Sequence, residues 1–138
     1  MKKATILLII LLATVAGVVS CGGDEPDGKW DKMKWKDLSG LSKEKGVYIV
    51  PADGGTYAFE CINYSSPWLS GILNNGEYVY PSYEDFHSIT GDWFSVLCDH
   101  ATVTITIQPL DGSTASRSLS VGVTAGDIFD SIDFIQRR

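Results

Sequence analysis

Thr102-Val103-Thr104-Ile105-Thr106-Ile107-Gln108 alternates polar and branched apolar side chains without a break. Successive side chains of a strand point to opposite faces, so Val103, Ile105 and Ile107 fall on one face and the three threonines on the other. One dry face and one wet face is the requirement of an antiparallel sheet packed on a single side. The same period recurs on both flanks. Ser118–Val123 sets Leu119, Val121 and Val123 against Ser118, Ser120 and Gly122, and Thr56–Tyr64 sets Tyr57, Phe59 and Cys61 against Ala58, Glu60 and Ile62. Val47-Tyr48-Ile49-Val50 ends at Pro51, after which Asp53-Gly54-Gly55 turns the chain into the next run. Short alternating runs divided by turn residues predict an all-β fold, an antiparallel β-sandwich of about seven to eight strands over residues 46–138.

The final segment fits two periods. Ile128, Phe129, Ile132 and Ile135 make a helical stripe behind an Asp127 cap. Ile132, Phe134 and Gln136 equally alternate with Asp133 and Ile135 as a strand. Between Lys29 and Lys45 the chain is charged and carries Trp30, Met33, Trp35, Leu38 and Leu41. Gly40 and the shortness of the run argue against a helix, so an irregular segment is expected, its tryptophans lying against the domain.

The opening of the chain is an address. Lys2 and Lys3 precede an apolar run from Ala4 to Val19, which ends at small Ser20 and Cys21. That is the layout of a secretory signal, and the run falls short of the roughly 20 residues a membrane-spanning helix needs. Val18-Val19-Ser20-Cys21 resembles a lipobox, in which diacylglycerol is attached to the cysteine sulfur and the chain is cut just before it. Residues 1–20 are then a lipoprotein signal peptide and Cys21 the lipidated first residue. The expected partner is a membrane, reached through acyl chains that each contribute about 0.8 kcal/mol per buried CH₂. Residues 21–45 read as the lipidated cysteine and a tether, opening with the polar Gly22-Gly23-Asp24-Glu25-Pro26-Asp27-Gly28.

Without residues 1–20 the chain holds 9 basic and 17 acidic residues, a formal charge of −8. Nucleic acid is a poor partner for such a surface, because phosphate binding needs a basic patch. With Cys21 committed to lipid, Cys61 and Cys98 remain. In an oxidising compartment they form either a disulfide or a pair of buried free thiols that pack as small hydrophobes.

No constellation points to catalysis. A Gly-x-Ser-x-Gly nucleophile elbow is missing from the sequence, and neither His87 nor His100 stands at metal-ligand or catalytic spacing. Asp53-Gly54 and Asp111-Gly112 read as turns, and together with Asp127, Asp130 and Asp133 they do not match a calcium-binding loop. No enzyme, cofactor or metal is expected. The aromatic loop residues are the candidates for binding: Trp68 beside Pro67, then Tyr78, Tyr80, Tyr83, Phe86 and Trp93. Flat rings pack on the apolar faces of sugars, and Asn74, Asn75 and Glu77 supply groups for hydroxyls. Tyr78, Tyr80 and Tyr83 are expected to be exposed, whereas Trp68 and Trp93, at strand-opening positions, are expected to fill the core.

Several of these features occur in a familiar order. A Gly54-Gly55 turn before a strand, Trp68 opening a strand, Gly91-Asp92-Trp93-Phe94-Ser95-Val96, Arg117 before an alternating strand and a terminal strand ending in Gln136 together resemble a BACON domain. That family, Bacteroidetes-associated carbohydrate-binding often N-terminal, is a small Ig-like β-sandwich, and the likeness covers residues 46–138. The stretch Asn74–Thr90 lengthens the usual spacing between the two tryptophans and implies an enlarged loop. The resemblance implies a strand at residues 128–136. It also implies a glycan-associated binding or accessory module of the bacterial envelope. Acidic residues soon after Cys21 resemble the signal that carries some Bacteroidetes lipoproteins to the outer face of the outer membrane. A protein-interaction or adhesion module, with an envelope protein as partner and no affinity for glycan, is the alternative.

Overall fold

In the computed structural model, residues 30–138 are described, and Cys21, the expected signal peptide over residues 1–20 and residues 22–29 lie outside them. Eleven strands follow in chain order: β1 Trp35–Asp37, β2 Ser42–Glu44, β3 Val47–Val50, β4 Gly55–Cys61, β5 Trp68–Asn74, β6 Glu77–Val79, β7 Ser88–Thr90, β8 Phe94–Asp99, β9 Thr102–Ile107, β10 Ser116–Ala125 and β11 Ile128–Arg137. They form a sandwich of a five-stranded sheet, β1-β4-β9-β8-β7, and a six-stranded sheet, β2-β3-β11-β10-β5-β6.

The predicted alternation is the packing. Tyr57, Phe59 and Cys61 of β4, Val103, Ile105 and Ile107 of β9, and Leu119, Val121 and Val123 of β10 are all buried. Phe59 meets Tyr48 and Phe134 of the opposite sheet at ring-centroid distances of 4.8 and 5.6 Å, joining the layers through aromatic contacts. The terminal segment is a strand, paired along its whole length with β10 from Ala125↔Ile128 to Ser116↔Arg137.

Four expectations are corrected. The sandwich has eleven strands rather than seven or eight, because strands of three residues, too short to show a period, border each sheet. It is not wholly antiparallel: β3 runs parallel to β11, as Phe134↔Tyr48 and Gln136↔Val50 show, a pairing of distant segments that no local pattern records. Residues 31–45 are not an irregular tether either. The compact unit begins at Asp31, with β1 paired to β4 and β2 to β3. Met33 is buried, and Trp35 packs on the core with its indole N–H donating to Asp130 Oδ2 at 3.0 Å. Likewise Asn74–Thr90 is more than a loop, since it contains β6 and β7.

Chain direction defines two poles. β4 starts beside the end of β3 and β11, and it finishes beside the start of β5, where Trp68 faces Thr124 near the end of β10. Asp31 enters at this second pole, where its carbonyl accepts from the Tyr64 hydroxyl. Asn63 holds the next residues, accepting from Lys34 N and donating to Lys32 O.

Candidate functional site

At the second pole three strands place their residues in a row. Trp68 of β5 is paired with Thr124 of β10, and Thr124 with Phe129 of β11. Alternation puts this row on the outer face, since Leu69 and Val123, one step along, are fully buried. Thr124 is nonetheless only 3% exposed, and its hydroxyl lies 3.0 Å from the Gly126 carbonyl oxygen and 2.9 Å from that of Ile128. It is a satisfied floor between two rings.

One side of the floor is raised by a bulge. The β5–β10 register shifts at Gly122/Val123, so that β5 folds over Gly122. A Cβ at Gly122 would stand 2.7 Å from Ser70 Oγ and 2.8 Å from the Gly71 carbonyl, so only glycine admits this approach. Beyond the bulge, β6 delivers Tyr80, whose ring lies over Gly71. The chain then returns through Pro81, Tyr83 and Phe86, and the Phe86 carbonyl accepts from Leu69 N at 2.9 Å. Asp85 holds this loop, accepting from His87 N at 2.8 Å and from Ser88 Oγ at 2.6 Å. These bonds, the serine hydroxyl first, lower the Asp85 pKa below its ordinary value.

The result is a groove of about 530 Å³ lined by Trp68, Leu69, Ser70, Tyr80, Pro81, Tyr83, Phe86, Thr124, Gly126 and Phe129. All five of its aromatic side chains are exposed, from Trp68 at 37% to Tyr83 at 96%. Tyr78 extends the surface by stacking on Tyr80, centroids 5.7 Å apart and planes 8° from parallel. No lining residue carries a charge. Such a surface offers flat apolar faces and a few hydroxyls.

Tyr78, Tyr80 and Tyr83 are exposed as expected, and the structure gathers Tyr80 and Tyr83 with Trp68. Trp68 is corrected: it starts β5 out of phase with Leu69 and so faces outward instead of filling the core. Phe129 is a groove residue that the sequence reading did not single out. Its signal was available, because in a strand that buries Ile132, Phe134 and Gln136 an odd-numbered phenylalanine has to face solvent.

Trp93 belongs elsewhere, to the opposite pole. Its indole N–H donates to Asn74 Oδ1 at 3.0 Å, and the Arg117 guanidinium lies over its ring at 4.2 Å. Arg117 Nε donates to Gln136 Oε1 at 2.7 Å, while its Nη2 reaches the Gln108 and Pro109 carbonyls at 2.7 and 3.0 Å. Gln136, 1% exposed, turns its amide N–H groups to the carbonyls of Pro51, Ala52 and Gln108. Gly54 completes the knot at φ +70°, where any Cβ would collide with the Ile107 carbonyl oxygen. Burial draws the Arg117 pKa down, partly opposed by Asp111.

Cys61 and Cys98 are buried free thiols, and the disulfide is not formed. Strand β9 lies between β4 and β8, so the two backbones are two strand spacings apart, about 9.5 Å, and a disulfide spans less than about 7 Å between Cα atoms. Each thiol has its own acceptor: Pro67 O at 3.2 Å from Cys98 Sγ and Asn63 Oδ1 at 3.5 Å from Cys61 Sγ. Burial pushes the Cys98 thiol up to about 11, which keeps it protonated and unreactive at neutral pH. Cys98 also borders a second cavity of about 400 Å³ with His87, Asp99 and His100. Among the described residues no group of three or more His, Cys, Asp or Glu is placed to hold a metal ion.

No protein-family model and no curated protein matches the chain. A solved structure does. It is the NMR structure of a protein from Bacteroides thetaiotaomicron, 35% identical, matched over 85% of this chain and 96% of that one with a TM-score of 0.67. The chain belongs to the same family as that Bacteroides protein.

Proposed function

We propose that this protein is a lipid-anchored module of the bacterial envelope, a BACON-type Ig-like sandwich that binds glycan in the aromatic groove and performs no catalysis. The observation that carries this reading is the row Trp68, Thr124, Phe129 walled by Tyr80 and Tyr83. The core does not need these rings, which stand in solvent at a cost that a ligand would relieve. Pyranose rings present C–H faces that stack on such side chains, and their hydroxyls match the groove's Ser70 and the surrounding polar loops. Ordinary ligand sites share this character, mostly apolar with a few placed polar groups.

The anchor rests on Val18-Val19-Ser20-Cys21 and the apolar run before it. Nine residues lie between Cys21 and Asp31, so the two are at most about 35 Å apart along extended chain. Because Asp31 enters at the groove's pole, a lipid on Cys21 keeps the ligand site close to the membrane.

The test is a broad glycan array probed with residues 22–138 made without lipid. Binding is expected, and Tyr80→Ala or Tyr83→Ala should weaken it by about tenfold, roughly 1.4 kcal/mol per stacked ring. Failure to bind any glycan, together with recovery of one envelope protein by pull-down, would replace this reading with a protein interface.

A further inference from the structure

We infer that the groove takes glycans built from uncharged pyranoses and rejects those bearing carboxylate, sulfate or phosphate. This rests on the glycan reading above and adds the class of sugar.

Between Lys45 and Arg117 the chain contains no lysine or arginine, although it contains eight acidic residues. That stretch supplies every wall of the groove except Thr124, Gly126 and Phe129. Acids flank the groove along the chain on both sides. Glu84 and Asp85 lie between Tyr83 and Phe86 in the loop, and Asp127 follows Gly126 in the turn from β10 to β11. The hydrogen bonds from Ser88 Oγ and His87 N favour the ionised form of Asp85 and draw its pKa below the ordinary carboxylate value.

The arginines are committed elsewhere. Arg117 is seven residues from Thr124 along β10, about 23 Å away, and is bound to Gln136, Gln108 and Pro109. Arg137 pairs with Glu44 at 2.9 Å, and Arg138 donates to the Asp111 carbonyl at 2.8 Å. Proteins that recognise sugar acids or esters use arginine forks or lysines that match the anion. No residue lining the groove is such a group, and an anion there would stand beside the flanking carboxylates.

The experiment uses the mature chain in detergent and matched oligosaccharides: N-acetylchitohexaose against a hyaluronan hexasaccharide, and a neutral galactan oligosaccharide against its sulfated form. Neutral members should bind with affinities that do not change with salt, and the anionic members at least about tenfold more weakly at low salt, where repulsion is least screened. Replacing one acid on each side of the groove, as in Glu84→Lys with Asp127→Lys, should raise binding of the anionic members several-fold. Anionic sugars bound as tightly as their neutral counterparts would overturn the selectivity and leave the glycan reading standing. No binding to any member of either class would overturn both.

Discussion

At one pole of the sandwich the buried amide of Gln136 and the half-buried Arg117 and Trp93 are tied to one another and to the carbonyls of Pro51, Ala52, Gln108 and Pro109. At the other, about 23 Å along β10, five exposed aromatic rings surround an uncharged groove with nothing bonded across it. Both poles use the same two central strands, β10 and β11, and both hold a tryptophan near a strand start. The difference teaches where family character and ligand character separate. Trp93, Arg117, Gln136 and Gly54 are among the residues on which the proposed BACON reading rests, and all four serve the closed pole. A match to those residues is therefore a statement about how the sheets are locked together, whereas the groove depends on Tyr80, Tyr83, Phe86 and Phe129.

The largest effect that separates the poles should come from Gln136→Leu. The substitution keeps the volume and strips partners from three carbonyls and from Arg117 Nε, so unfolding in urea should show a loss of about 3 kcal/mol. Tyr83→Ala, at the open pole, should change stability by no more than about 0.5 kcal/mol. Equal costs for the two would dissolve the distinction.

Gly122→Ala should come next, because it acts on the support of the groove without touching its rings. The new methyl meets the Gly71 carbonyl, which is backbone and yields only if the bulge shifts. A loss of about 1–3 kcal/mol is expected, and glycan affinity should fall with it as Trp68 and Tyr80 move apart. Unchanged stability would mean that β5 relaxes freely at this point and that the groove's shape is not set by the bulge.

What could be read in the chain follows from what alternation encodes. Val103, Ile105 and Ile107, and Leu119, Val121 and Val123, announce their faces because each strand has one dry side and one wet side. β1 and β2 pass unnoticed, since three residues such as Ser42-Lys43-Glu44 bury nothing and owe their state to the neighbour they pair with. Gln136 is invisible to any hydrophobic pattern: its place in the core depends on three carbonyls and an arginine brought from other parts of the sequence. The groove is half legible. The loop tyrosines stand out by composition, but their union with Trp68 and Phe129 needs the β5–β10–β11 register, which is a fact about distant pairing.

The smallest effect is acid sensitivity confined to the closed pole. Asp111 Oδ1 accepts from Ser113 N, Ser113 Oγ and Thr114 N at 2.8–3.0 Å. Hydrogen bonding by the Thr114 side chain first, then by the Ser113 side chain and the two backbone N–H groups, holds its carboxyl at about 2, against an ordinary value of 3.8. Because the folded value is the lower one, the ionised form favours the fold. Its contribution is complete above the unfolded value and disappears as pH falls through about 2. The carboxylate is fully exposed, so solvent keeps the effect on global stability slight. The readout should therefore be local. The amide resonances of Ser113 and Thr114 should titrate together near pH 2, and Asp111→Asn should abolish that titration. The groove resonances of Trp68 and Phe129 should stay still over the same range, apart from any response to Asp85. Titration of Thr114 near the ordinary carboxylate value would show that the loop is not held by this side chain. The closed pole would then owe its order to Gln136 and Arg117 alone.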